Sequence, residues 1–431
     1  MSRTAENSSS RRGVSRRAVM RALLGGAAAS TVLSTTAFAG TSDDPVLQML
    51  QNQQGAWSDG FDAASSGAAS VRTTEPILSP ATAQAIELAI GQYSDIVARG
   101  GWPVLSPDLK LSLGKKDPQV PVLRQRLTVT GDLAPGIPTS QTFDSYVDAA
   151  VRRFQARHGL PADGVVGGST VQMMNVSADI RLGQLQTNLS RVRTASASLP
   201  DRYVMVNIPA AAIEVVQNGR VVSRHTAVVG KIDRETPILN SKIYRISFNP
   251  NWTVPASIIR KDLIPLMQKE PEYLTKKHIR IYDQSGQEVP STSIDWNTDQ
   301  ATKGYMFRQD PGDFNSLGTV RLSFHNDEQV YMHDTPLKDI FGHEQRFDSS
   351  GCIRVQNIRQ VIGWLLRDNP EFPRSRIDEI FKTGEQVDVN LKPEMPVFLQ
   401  YITAWAMTDG TVHFRNDIYN RDGAGQLALQ Q

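Results

Sequence analysis

The apolar positions along this chain change period partway, and each period predicts a different kind of element. Between Ala81 and Ala98 the apolar side chains of Ala85, Ile86, Leu88, Ala89, Ile90, Tyr93, Ile96 and Val97 recur at helical spacing. Ser79-Pro80 supplies a start and Gly100-Gly101 a stop, so one amphipathic helix is expected. Val120, Val122, Leu123 and Leu127 predict a second helix, and Ala149, Ala150, Val151 and Phe154 a third, within a compact unit over 114–176. A further helix is predicted from Ile180 to Arg193.

Beyond that point the period shortens to two. Tyr203 to Ile208, Ile213 to Gln217, Val221 to Val229, Ile243 to Phe248, Val320 to Phe324, Val330 to His333 and Cys352 to Val355 read as short strands, which predict a sandwich or partial barrel. Residues from about 253 to 318 break this pattern with mixed helix and loop rich in Pro, Asp and aromatics, an insertion that could cap a site just downstream. The fold class predicted is multidomain α+β.

The chain starts differently. A basic region precedes an uncharged run from Ala22 to Thr36, and Ala37-Phe38-Ala39 before Gly40 has the small-x-small pattern of a cleavage site, so 1–39 is expected to be an export signal. Ser15-Arg16-Arg17-Ala18-Val19-Met20 resembles a twin-arginine motif. The apolar run is too short to span a bilayer. Residues 40–76, poor in large apolar side chains, are expected to be a disordered linker.

Charge and cysteine usage narrow the function. The formal charge of +2 comes from the first 39 residues, which hold six Arg and one Glu; without them 40 Lys+Arg face 43 Asp+Glu. A near-neutral surface gives no footprint for nucleic acid, and no later stretch is apolar enough to cross a membrane. Cys352 is the one cysteine, so in an oxidising compartment it has no disulfide partner within the chain.

Candidate chemistry gathers around that residue. Val330-Tyr331-Met332-His333-Asp334 is followed by Ser349-Ser350-Gly351-Cys352-Ile353-Arg354, placing His333 at a strand end and Cys352 at a loop-to-strand junction. A free thiol is only slightly ionised at neutral pH, and an adjacent imidazole supplies the base that activates it. Gly351 before the nucleophile lets backbone N–H groups approach a developing oxyanion. Strand alternation puts Arg354 on the face of Cys352, free either to hold the loop's carbonyls or to pair with a substrate carboxylate. Two other classes remain open: a zinc hydrolase using His325, His333, His343 and Cys352, although their spacing matches no metal motif, and a non-catalytic binding scaffold carried by the unit over 114–176.

These residues resemble the catalytic signature of the L,D-transpeptidase (YkuD-type) domain, a His upstream of Ser-x-Gly-Cys-x-Arg. The likeness extends through Asn207-Ile208-Pro209, Val229-Gly230-Lys231, Arg234-Glu235-Thr236-Pro237, Asn249-Pro250-Asn251-Trp252, Arg308-Gln309-Asp310-Pro311-Gly312 and Thr403-Ala404-Trp405, as in the large YcbB-like subgroup. One departure is Ser350, where many members carry a second His. Phe154-Gln155-Ala156-Arg157-His158-Gly159-Leu160 with Asp163-Gly164 resembles the peptidoglycan-binding three-helix module.

The resemblance implies a peptidoglycan transpeptidase that needs no metal or cofactor. Cys352 would be its nucleophile, His333 its base, Gly351 an oxyanion donor, and Arg354, Tyr331, Ser350 and Trp252 would bind substrate. Partners implied are donor and acceptor stem peptides, or outer-membrane proteins as acceptors, in the periplasm. The expected organisation is signal 1–39, linker 40–76, helical scaffold 77–113, binding module 114–176, scaffold again 177–200, catalytic domain 201–392 with its insertion, and a C-terminal segment 393–431 packing on it.

Overall fold

A computed structural model describes residues 73–137 and 139–423. The expected export signal and nearly all of the expected linker lie outside these residues. The linker's end does not: Thr74 O accepts from Val221 N at 2.8 Å, and Arg224 Nη2 donates to Glu75 O at 2.8 Å, so residues 73–76 are pinned to the sheet rather than free.

Helix α1 (Pro80–Ala98) begins where Ser79 Oγ accepts the Thr82 N–H, and it stops where Gly100 and Gly101 turn to positive φ. It packs against α5 (Ala178–Ser196) over one apolar cluster that includes Ile86, Tyr93, Leu185 and Val192. Between them α2 (Val120–Val129), α3 (Ser145–Arg157) and α4 (Gly168–Asn175) form the three-helix unit. Its core includes Leu105, Leu109 and Leu111, so it reaches further upstream than the boundary expected at 114. Those leucines have no helical period and were not visible as part of the unit. The Gln155 amide locks the turn, donating to Asp163 Oδ1 and Val165 O and accepting from Gly164 N.

The strands build one nine-stranded mixed sheet. Strands β1 (Arg202–Asn207), β2 (Ala212–Gln217), β3 (Arg220–Gly230) and β4 (Leu239–Phe248) lead into the insertion. After it come β9 (Val320–Phe324), β10 (Met332–His333), β11 (Phe347–Ser349), β12 (Ile353–Val355) and β13 (Val387–Gln400). The order is β11-β3-β12-β10-β9-β4-β13-β1-β2, and β2 pairs back onto β3, which closes the sheet on itself. Strand β13 runs straight through the domain boundary expected at 392. A register shift between Asn390 and Met395 absorbs Pro393, the residue that disguised one strand as two segments.

The insertion is more ordered than mixed helix and loop. It contains β5 (Trp252–Thr253), a helical run α6 over 256–269 with a π-turn at Ile259–Leu263, and α7 (Tyr273–Lys276). It then adds β6 (Ile279–Tyr282), β7 (Glu288–Val289) and β8 (Met306–Gln309), and its four strands form a small sheet in the order β5-β8-β6-β7. Val254, Ile259, Leu263, Ile281 and Phe307 give it a core of its own. Strands of two to four residues are too short for alternation to reveal them. Helices α8 (Ile358–Leu365) and α9 (Arg374–Thr383) and the hairpin β14 (Ala404–Ala406)–β15 (Val412–Phe414) complete the fold. Among the described residues no helix is long and apolar enough to cross a membrane.

Candidate active site

Strands β10 and β12 are parallel neighbours, with Met332 opposite Ile353 and His333 opposite Arg354. The pairing continues one step further, since Ile353 N donates to Tyr331 O at 3.0 Å. Met332 and Ile353 are fully buried in the core, so alternation turns Tyr331, His333, Cys352 and Arg354 to the other face together. Cys352 and His333 are thus diagonal neighbours on one surface. Across β9, Arg321 stands opposite His333, so the row reads Arg321, His333, Arg354.

The loop carrying Cys352 is held from behind. Gly351 sits at φ +110°, a conformation that suits glycine, and its carbonyl accepts from Thr236 Oγ1 at 2.8 Å. Thr236 in turn accepts the Gly230 N–H, and Tyr419 OH donates to Gly230 O at 2.7 Å. Ser349 Oγ donates to Cys352 O at 2.6 Å and accepts the Gly351 N–H at 3.1 Å. Gly351 was expected to supply an oxyanion donor. Its N–H is already committed to Ser349, which leaves the Cys352 N–H as the backbone donor beside the thiol.

Electrostatics keep the pair neutral at rest. Burial, assisted by the Arg354 charge, lowers the His333 imidazole to about 3, against a hydrogen bond between its Nδ1 and the Asp334 carbonyl. That contact assigns the proton to Nδ1 and leaves Nε2 with its lone pair. Asp334 is itself fixed, its carboxylate accepting from Thr319 N at 2.9 Å, Thr319 Oγ1 at 2.8 Å and Lys338 Nζ at 2.6 Å. Burial pushes the Cys352 thiol up to about 11, opposed by the main chain and hydroxyl of Tyr331 and by Arg354 and Arg321. No hydrogen bond joins His333 to Cys352 among the described residues; Tyr331 is the thiol's nearer polar neighbour.

Tyr331 and Trp252, expected in the substrate pocket, are joined, with Trp252 Nε1 donating to Tyr331 OH at 3.1 Å. Since Trp252 belongs to β5, this bond ties the capping insertion to the catalytic face. Ser350 is exposed, and its Oγ accepts from Arg234 Nη1 at 2.8 Å. Arg234 also grips Asp262 on the π-turn with two bonds, of 2.6 and 2.9 Å. The sequence reading missed Arg234, Asp262 and Arg321. Arg234 lay in a recognised stretch without a role, whereas Arg321 carried no signal until the strand order was known. His325 and His343 are exposed, His325 bonding Glu394 at 3.1 Å, and no group of three or more metal-ligating side chains forms among the described residues.

A thiol and an unprotonated imidazole thus lie on one face of a β-rich domain that the insertion joins through Trp252. Residues 201–389 match the family described as YkuD, the L,D-transpeptidase catalytic domain. Residues 116–174 match the one described as "Putative peptidoglycan binding domain". A stretch similar to a peptidoglycan-binding domain thus precedes one similar to the YkuD L,D-transpeptidase catalytic domain. A curated relative from Haemophilus influenzae, named "Putative L,D-transpeptidase", is 31% identical over 247 residues, 57% of this chain and 49% of the relative. The chain thus matches about half the length of that relative. Among solved structures, an L,D-transpeptidase from Xylanimonas cellulosilytica is 17% identical, covering 69% of this chain and 100% of that one, with TM-score 0.21. One from Stackebrandtia nassauensis is 14% identical, covering 68% and 97%, with TM-score 0.25.

Proposed function

We propose that this protein is an exported peptidoglycan L,D-transpeptidase. Its donor is a stem peptide whose third residue, a diamino acid, is followed by D-Ala. Cys352 Sγ attacks the carbonyl between those residues while its proton passes to His333 Nε2. An ion pair at rest is disfavoured by the raised thiol and lowered imidazole, so proton transfer accompanies attack. The Cys352 N–H, with the Tyr331 hydroxyl nearby, faces the developing oxyanion. His333 then protonates the nitrogen of D-Ala, the C–N bond breaks, and a thioester remains.

The side-chain amine of a second stem's diamino acid attacks that thioester. The C–S bond breaks, a 3→3 cross-link forms, and the amine's proton returns through His333 to the thiolate. The capping insertion, held over the site by Trp252 and by Arg234–Asp262, favours the amine over water. The three-helix unit holds the enzyme on the wall polymer. The same thioester would also serve a free D-amino acid or an amine of an outer-membrane protein.

The observation that carries this reading is the placement of the chain's one thiol and His333 on a single sheet face, with no hydrogen bond to Nε2 of His333 among the described residues. Incubation with purified disaccharide tetrapeptide should add the mass of the donor minus D-Ala to the protein, and muropeptide analysis should then reveal 3→3 dimers. An unmodified mass under turnover, or a donor adduct that survives Cys352→Ala, would remove the reading.

A further inference from the structure

Arginine side chains taken out of water ordinarily find acceptors for their N–H groups. Two on the catalytic face do not. Arg321 and Arg354 are both half-buried, and neither makes a hydrogen bond or ion pair with the described residues. Arg321 Nε is buried with no acceptor. An acid whose charge acts on Arg354 is Asp348, an exposed carboxylate that ion-pairs with Lys231 at 3.2 Å instead. The Arg321 guanidinium lies 5.7 Å from the centre of the Tyr331 ring, so it leans along the face toward the row that holds Cys352. Next to it on β4, the buried Ser247 hydroxyl also lacks a partner.

Their position selects a ligand. Strand pairing places the two arginines on either side of His333, one on β9 and one on β12. A forked guanidinium without a protein anion is matched by a carboxylate or phosphate oxygen pair, and a peptide donor offers carboxylates. The group closest to the nitrogen that His333 protonates is the carboxylate of the leaving residue, separated from that nitrogen by a single carbon.

We propose that Arg321 and Arg354 form a clamp for the terminal carboxylate of the donor's leaving residue, which makes Arg321 a specificity-determining residue. The inference rests on the transpeptidase reading above. A donor extended by one more residue would have an amide where the clamp requires a carboxylate, so the enzyme would distinguish a four-residue stem from a five-residue one by charge. Occupation by an anion would also offset the positive charge that, beside burial, disfavours protonation of His333.

The test compares disaccharide tetrapeptide with the same compound amidated at its terminal carboxylate, following thioester formation by intact mass. Wild-type kcat/KM should fall about tenfold to a hundredfold on amidation, the range for a bond to a charged group, with most of the change in KM. In Arg321→Gln the acid-to-amide ratio should collapse toward one, and Arg321→Lys, a charge without the fork, should lie between. A variant that melts early is set aside by the substrate pair itself, since the wild-type comparison needs no mutation. Equal rates for acid and amide in the wild type, or an unchanged ratio in Arg321→Gln, would overturn the clamp. So would sensitivity only to amidation of the diamino acid's own carboxylate. If the wild type forms no thioester with either compound, the transpeptidase reading fails instead.

Discussion

The arginines buried where the three-helix unit meets the scaffold and the two that flank His333 are out of water under opposite terms. At the junction, Arg157 is held by Asp132 through bonds of 2.7 and 2.6 Å and donates to Val412 O at 3.1 Å. Arg126 donates to Met174 O at 2.9 Å and lies 4.0 Å over the Trp102 ring. Arg415 donates to the carbonyls of Arg157 and Phe414. On the catalytic face Arg321 and Arg354 have no such acceptors. The junction uses guanidiniums to tie carbonyl ends together across elements distant in sequence; the catalytic face keeps them unspent. A buried cation with its bonds made is architecture, and a half-buried one without them keeps N–H groups free for solvent or for an anion.

Substitutions should therefore separate into those that remove chemistry and those that remove structure. The largest effect is expected at Cys352→Ala, which should abolish thioester formation by intact mass while leaving the melting temperature within a few degrees, since deleting one half-buried sulfur costs on the order of 1 kcal/mol. His333→Ala should lower turnover by roughly 10²- to 10⁴-fold, measured as cross-linked muropeptide per minute. At the junction the sign of the comparison reverses. Asp132→Ala strands the buried Arg157 charge and should cost about 3–5 kcal/mol in denaturant unfolding, with kcat per folded molecule unchanged. A loss of kcat without loss of stability there would erase the distinction between the two sets.

Acidity sharpens the comparison further. Burial holds His333 down to about 3 and His225 down to about 4. In the unfolded chain each imidazole takes a proton below about pH 6.5, whereas the folded chain resists it, so their contribution to stability is complete above pH 6.5 and is lost as pH falls toward 4. At pH 5 the cost is about 2 kcal/mol per imidazole, readable as a lower denaturant midpoint. The thiol behaves in the other direction: alkylation of Cys352 by a small reagent should rise about tenfold per pH unit from 7 to 10, because its ionisation is displaced upward to about 11. The smallest effect is expected at Trp252→Phe, which removes the donor to Tyr331 and should slow acylation by about three- to tenfold, the worth of one hydrogen bond.

The parts of this site that could be read in the sequence are those whose neighbours are close along it. His333 and Cys352 lie on adjacent parallel strands joined by a single excursion, so their order, the Ser-Gly before the thiol and the alternation to Arg354 were all visible. Arg321 is equally close in space, but its place opposite His333 exists only once β9 is known to pair with β10. Arg234 and Asp262 are bound by a contact between a loop and the capping insertion, with no period or spacing to announce it. The committed N–H of Gly351 was hidden for a smaller reason: Ser349 can satisfy it only in the turn that the positive φ of Gly351 creates.

Closure of the main sheet has a consequence for the order of events in biosynthesis. Val204 on β1 is paired with Val397 on β13, and β13 also covers β4, so residues 387–400 fill the seam between strands made much earlier. Until that stretch has left the ribosome, β1 and β4 each present an unpaired edge, and the row that orients the base rests on an open ribbon. Cys352 is thus synthesised well before the strand that closes the sheet carrying it, and a nascent chain has its one thiol before it has a finished scaffold to hold it.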